Sequence, residues 1–348
     1  MQFHLPGALV LAVPMLAMAI PVLAQPPQAD VAALQKERQT SIATFLDRAQ
    51  PVAARLAAIE RMGYPDDRTF AALLDIGRDA TQPSAIRTAA FKRHKFDEAY
   101  FDAVTKILAD PADGDETLET NLILDLGQRI TFRSPPAAQQ RFQGVLRTLL
   151  DDKRPRVRLQ AYRVLVATHD SVALSGLSES LRTRTNVPVP LSEAIKLLNE
   201  DGPVSYIGVI RPYLEHADPA VRAQAARALS VDPQSRPRIA AMARDMGTPV
   251  EVRLLALRAL AREDDGFPEY ATAIVGNAKD NPRVREAAMQ AMAGRMNYNN
   301  VDSTSQVRFA TVVRGIANEA RSDKVLQSAA AELHAYLVKT FPAIRQAQ

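Results

Sequence analysis

Five segments of this chain repeat one phrase. Residues 218–229 read DPAVRAQAARAL, and altered copies stand at 281–292 (NPRVREAAMQAM), 248–260 (TPVEVRLLALRAL), 154–165 (RPRVRLQAYRVL) and 82–93 (QPSAIRTAAFKR). A phrase returning at a steady period marks a stack of small units, each too small to bury its apolar face alone. Within 218–229, Asp218 can cap a helix whose first turn holds Pro219, where a missing N–H costs nothing. Val221, Ala225 and Leu229 follow four apart and form one helical stripe, with Ala between them so that a neighbouring helix can approach. VSYIGVIRPYLEHA (204–217), SRPRIAAMARDMG (235–247) and PEYATAIVGNAKD (268–280) precede three of the copies. Each is expected to form a first helix, A, joined by a tight turn to the proline-led second helix, B.

The arginine after the apolar residue serves as a ruler. It falls at Arg55, Arg87, a weak slot around residue 120, Arg158, a slot at Ser192, then Arg222, Arg253, Arg285 and a last slot at Leu326. Most spacings are 30 to 34 residues, the period of a helical solenoid. The polar NYNNVDSTS (297–305) lengthens the last interval, and RSPPAAQQ (133–140) and TRTNVPVP (183–190) read as loops. The expected layout is residues 1–24 as a signal peptide, 25–50 as an N-terminal capping helix, 51–340 as the array and 341–348 as a tail. About nine helix pairs fit between Asp30 and Thr340.

The phrase D-P-x-V-R-x-x-A-x-x-A-L resembles the HEAT repeat, more narrowly the short HEAT-like variety also found in phycobilisome lyases. The resemblance covers nearly all of the chain beyond the leader. It implies an all-α, right-handed superhelical solenoid of about nine HEAT-like helix pairs. It also implies a structural part for Arg87, Arg158, Arg222, Arg253 and Arg285, with Asp218 and Asn281, as a ladder linking successive repeats. Such a fold hosts many functions and names none.

Composition agrees with packed helices. Aromatic residues make up 5 %, Trp is absent and Gly numbers 14 in 348 residues. Cys is absent, which excludes disulfides, thiolate metal sites and cysteine nucleophiles. The apolar run LPGALVLAVPMLAMAIPVLA (5–24) ends with Val22 and Ala24 at the positions where signal peptidase needs small side chains. Export to the periplasm or medium, with cleavage after Ala24, is therefore expected. An N-terminal membrane anchor is the alternative, although Pro6, Pro14 and Pro21 make a poor spanning helix.

Reactive constellations are missing from the sequence. His94, His169, His216 and His334 show no two-histidine spacing, and the chain has no His-Glu dipeptide of the kind that HEAT-like di-iron hydroxylases carry. His169 and His216 are read as solvated residues at helix ends. The carboxylate pairs Asp66–Asp67, Asp151–Asp152 and Asp264–Asp265 fall in expected turns, and Ser175 and Ser178 lack a nucleophile elbow. No catalytic residue, cofactor or metal is expected. HEAT-like glycosylases bind DNA, but Lys plus Arg exceed Asp plus Glu only by 43 to 39, so no nucleic-acid partner is expected.

One column has a residue-level reading. Five places after the ruler arginine stand Lys92, Arg163, Arg227 and Arg258, with Gln290 completing the series. That position lies off the apolar stripe, either as a plain solvated face or, if B helices line the inner surface, as a basic track for an acidic protein segment. The expected function is an exported, non-enzymatic protein-binding or scaffold module using its concave face. The alternatives are a HEAT-like lyase or glycan-acting enzyme with a site assembled from distant residues, or a binder of anionic polymers or membrane surfaces.

Overall fold

The computed structural model describes residues 28–110, 115–133, 136–298, 301–319 and 323–348. The expected leader and the expected cleavage point after Ala24 lie outside them. Among the described residues there is no strand, and no helix is long and apolar enough to cross a membrane.

Among the described residues nine helix pairs follow one another. They are α1 (Gln28–Leu46) with α2 (Val52–Arg61), α3 (Asp67–Arg78) with α4 (Ser84–Arg93), and α5 (Glu98–Ala109) with α6 (Glu116–Arg133). Next come α7 (Pro136–Thr148) with α8 (Pro155–Ala167), α9 (Ser171–Thr183) with α10 (Leu191–Asp201), and α11 (Ile207–Ile210) with α12 (Pro219–Ala228). The last are α13 (Arg236–Arg244) with α14 (Val250–Leu260), α15 (Phe267–Gly276) with α16 (Pro282–Asn297), and α17 (Ser303–Ala317) with α18 (Lys324–Thr340). Segment 25–50 thus holds α1, which packs on α2 as the A helix of the first pair. Segment 341–348 is folded back as α19 (Pro342–Gln346), with Phe341 and Ile344 buried.

Proline and acidic caps start these helices, in two variants. Pro155, Pro219 and Pro282 occupy the first turn as expected. Pro51, Pro83, Pro190 and Pro249 instead stand one place earlier, at the cap itself, with extended backbone. Asp218 and Asn281 accept the Ala220 and Arg283 N–H groups, and Asp170 accepts both Val172 and Ala173. Val221, Ala225 and Leu229 are buried as the stripe requires, and Ala223, Ala226 and Ala228 are buried as well. A B helix is therefore enclosed on three sides: by its own A helix and by the B helices before and after it.

Three expectations about local structure need correction. Segment 204–217 is not one helix: it breaks into a 3₁₀ turn (Pro203–Tyr206), the single turn α11 and a second 3₁₀ stretch (Arg211–Glu215). Pro212 withholds its N–H and its ring would collide with the carbonyl of Gly208, four residues back. RSPPAAQQ is mostly helix, because Pro136 opens α7 rather than continuing a loop; residues 134–135 lie outside the described set. The 297–305 insertion shrinks likewise, since α16 includes Asn297 and Asp302 caps α17 at Ser303; residues 299–300 are not described. TRTNVPVP does form a loop, with Arg184 and Asn186 in the left-handed region.

Successive B helices pack on one another throughout the array, and more closely than most successive A helices do. The B layer is accordingly the inner one. The A and B layers meet tightly at Gly77, where an added Cβ would stand 2.7 Å from the Phe91 ring. The apolar interior divides into two clusters. One, from Ile42 to Ala90, fills the first two pairs; the other runs unbroken from Leu74 and Phe91 to Ile344.

Candidate functional site

The ruler arginines have a common task in four of the pairs. Each donates Nε to a carbonyl ten residues earlier: Arg55 to Phe45 at 2.8 Å, Arg87 to Gly77, Arg253 to Ala243 and Arg285 to Val275, each at 2.9 Å. Those carbonyls belong to the last turn of the pair's own A helix, which has no helical donor left for them. The guanidinium also sets positive charge at the negative end of the helix dipole. The ladder thus closes each pair before it links pairs. Links to the next pair come from the outer amino groups, Arg55 Nη1 to Gln82 Oε1 at 2.9 Å and Arg253 to both carboxylate oxygens of Asp280 at 2.6 Å.

The remaining rungs differ from the sequence expectation. Half-buried Arg158 reaches forward to the Pro188 carbonyl and back to that of Asp152. Arg222 bonds only to its own turn, at the carbonyls of His216 and Ala217. Asp218 and Asn281 are helix caps rather than ladder partners, because the carboxylate that Arg253 engages is Asp280, one place before the cap. Every rung is the fourth residue of its B helix, which moves the weak slots from 120, 192 and 326 to Glu119, Ala194 and Gln327. Gln327 confirms the register, since its Nε2 donates to Ala317, again ten residues back. Buried Glu119 takes a reversed part and receives both amino groups of Arg154, at 2.7 and 2.9 Å.

With the register set, the column five places on reads Glu60, Lys92, Leu124, Arg163, Asn199, Arg227, Arg258, Gln290 and Glu332. All are exposed except half-buried Asn199. Lys92, Arg163, Arg227 and Arg258 do share one ridge of the inner layer, but they do not make a continuous basic track. Leu124 and Asn199 interrupt it, Glu60 and Glu332 close its ends, and Arg163 is bonded to Glu193 at 2.9 Å. Lys92, Arg227 and Arg258 have no ionic partner among the described residues. Neighbouring helices lie about 8–10 Å apart. Lys92, four pairs away from Arg227, is therefore several Debye lengths of about 8 Å away, whereas Arg227 and Arg258, on adjacent helices, stand about one Debye length apart.

No cluster of three metal-ligating side chains occurs among the described residues. His94 is buried against Phe70 and Tyr100, with Nδ1 2.6 Å from the Lys95 carbonyl. His169 is not simply solvated. Its backbone is left-handed, at φ 55°, and Nδ1 lies 2.6 Å from Asp201 Oδ1, while Tyr206 donates to Oδ2 at 2.7 Å. Burial works to raise the Asp201 carboxyl, but the bonds from His169 and Tyr206 outweigh it and hold the group below its ordinary range. Burial, and then Asp201, push Tyr206 up to about 12. This is a tie between the fourth and fifth pairs. Ser175 spends its hydroxyl on the Ser171 carbonyl. His216 Nδ1 receives the Asp218 N–H, and His334 is pushed down by burial and then by Arg314. Asp66 caps α3, Asp67 pairs with Lys95, and Asp152 pairs with Arg154.

A second group on the inner layer was not visible in the sequence. Arg262, one turn beyond Arg258, lies 4.4 Å over the Tyr298 ring and donates Nη2 to the Tyr298 hydroxyl at 2.8 Å. Tyr336 donates to Asn297 Oδ1 at 2.8 Å. Both rings are exposed, at 58 % and 42 %. Thirty-six residues separate Arg262 from Tyr298, so only the solenoid's period could have brought the two together.

No protein-family model and no curated protein sequence matches the chain. Among solved structures it is similar to the complex of CpcE and CpcF of phycocyanin lyase from Nostoc sp. PCC7120. That match has 19 % identity over 86 % of this chain and 94 % of that one, with a TM-score of 0.36. It is also similar to an engineered protein, Northeast Structural Genomics Consortium target OR497, at 18 % identity over 91 % and 92 % with a TM-score of 0.39. The repeating helix pair, its arginine rung and its period make this chain an all-α solenoid of helix-pair repeats.

Proposed function

We propose that the protein is an exported, non-enzymatic recognition module that docks an extended, acidic protein segment along the inner layer of B helices. The observation that carries this reading is the adjacent pair Arg227 and Arg258, exposed on one ridge and free of ionic partners among the described residues. Charges left unpaired on a preformed helical surface attract an opposite charge with no backbone rearrangement, at the cost only of ordering their own side chains. The leader's apolar run and its small residues at 22 and 24 support export.

The test uses fluorescein-labelled octaglutamate and fluorescence polarisation. Binding is expected at low salt, with release by about half-molar salt, where screening shortens the reach of surface charge to a few ångströms. Arg227→Glu/Arg258→Glu should keep the circular dichroism of the parent and abolish binding, while Lys92→Glu should change it little. Undiminished binding by a folded double variant would move the recognition surface elsewhere. Binding of anionic vesicles in place of the peptide would favour a membrane-surface role.

A further inference from the structure

The inner face beside Arg227 and Arg258 contains a feature that charge alone does not explain. Gln290 and Gly294 on α16, and Tyr298 at its C-cap, follow at steps of four along one side of the helix. The middle one is Gly294, inside a helix where glycine is the least favourable residue after proline. A tight contact would account for it, but an added Cβ there would meet nothing within 4 Å. Packing therefore does not require glycine at this position. Its effect is to leave a bare, open floor on the inner face.

The walls of that floor are ordered and aromatic. Tyr298, one turn on at the end of α16, is held by Arg262, from the turn after α14, through both its hydroxyl and its ring. Tyr336 rises from α18 on the other side and is fixed to α16 through Asn297. Tyr336 on α18 stands where Gly294 does on α16, and Arg262 lies in the turn just past α14, each the ninth residue after its rung. Exposed tyrosines with hydroxyls already committed offer wide apolar surface at little entropic cost, and tyrosine and arginine dominate binding hot spots.

We infer that Gly294, Tyr298 and Tyr336 form a socket for one aromatic side chain of the docked segment, whose carboxylates lie on Arg227 and Arg258. The inference rests on the proposed docking of an acidic segment and gives that segment a polarity. Its acidic part crosses α12 and α14, where the free cations are, and its aromatic residue crosses α16. Glu332, exposed on α18 one turn before Tyr336, repels carboxylates from the far side and sharpens that polarity.

Two labelled peptides separate this socket from plain charge attraction: octaglutamate with a phenylalanine at each end, and octaglutamate with an alanine at each end. The phenylalanine peptide should bind at least about fivefold more tightly, the usual gain from one aromatic contact. Gly294→Leu fills the floor, so it should melt at or above the parent's temperature and lose that gain while binding the alanine peptide unchanged. Tyr298→Ala should lose the gain in the same way. Equal affinities of the parent for the two peptides would overturn the socket and leave the charged ridge standing. Failure of the parent to bind either peptide would remove both. A gain that survives in folded Gly294→Leu and in Tyr298→Ala would also overturn it.

Discussion

Arg253 and Asp280 form a two-pronged ion pair in the interior, with both N–O distances at 2.6 Å and neither side chain more than 3 % exposed. The pair joins the B helix α14 to the turn that enters α16, while Arg253 Nε closes the end of α13. One side chain thus ties three helices.

Removing only the acid should therefore be severe. Asp280→Ala leaves a buried guanidinium without its counter-charge and should cost about 3–5 kcal/mol in urea unfolding. Replacing both partners with apolar residues of similar size should cost much less. A small loss for Asp280→Ala alone would mean that water reaches the pair.

Charge alone cannot replace the arginine. Arg253→Lys keeps the charge but offers a point donor where three directed bonds are made, so a loss of about 2 kcal/mol or more is expected. The same change at Arg222, which bonds only to its own turn, should cost less than about 1 kcal/mol. Equal losses at the two sites would show that the rungs are equivalent despite their different partners.

Val221 tests the stripe. It is 2 % exposed, and Val221→Asp would place an unpaired charge between neighbouring B helices, at a cost of about 3 kcal/mol or more. Thermal unfolding followed at 222 nm would measure it, and an unchanged midpoint would contradict the burial of this face.

Acid should loosen the ends of the A helices. At Asp170, burial raises the carboxyl, but Arg147 and the Ala173 and Val172 N–H groups together bring it below its ordinary value. A carboxyl depressed in the folded state binds its proton more readily when unfolded. Its stabilisation is therefore complete above about pH 4 and fades as pH falls through the folded value. Asp170→Asn should lower stability at pH 7 and shrink its difference from the parent toward pH 2. Tyr206 gives the opposite limb. Its proton is held more tightly when folded, so its contribution is present below about pH 10 and lost by about 12. The gap between the parent and Tyr206→Phe should close over that range.

The period, the pair and the buried stripe were legible because helix B carries its start signal, apolar spacing and arginine in one short window. Where the arginine is missing, the register could not be read. Glu119, Ala194 and Gln327 show no common chemistry, and only the start of each helix aligns them with Arg253. The broken A segment at 203–215 was overestimated because its apolar spacing is helical, although Pro212 forbids the continuous ladder of bonds. The four cations fall at one register of their B helices, and their neighbours Leu124 and Asn199 come from pairs whose slot had slipped. The Tyr298 and Tyr336 group lay beyond any local pattern, since its members meet only through lateral stacking of α14, α16 and α18.

The division of the apolar interior within the second pair has a mechanical consequence. In a row of units that touch only their neighbours, cooperativity is set interface by interface, and unfolding starts where the shared interior is thinnest. Here that seam passes through α3 and α4, whose residues are divided between the two clusters: Phe70 and Ile86 on one side, Leu74 and Phe91 on the other. The first pair, with the half of the second that packs on it, should therefore fray while the rest of the row stays closed. Amide exchange should be fastest in α1 to α4, and a protease should trim the row from that end. The length of inner face on offer is then a population of long and short forms, set by temperature.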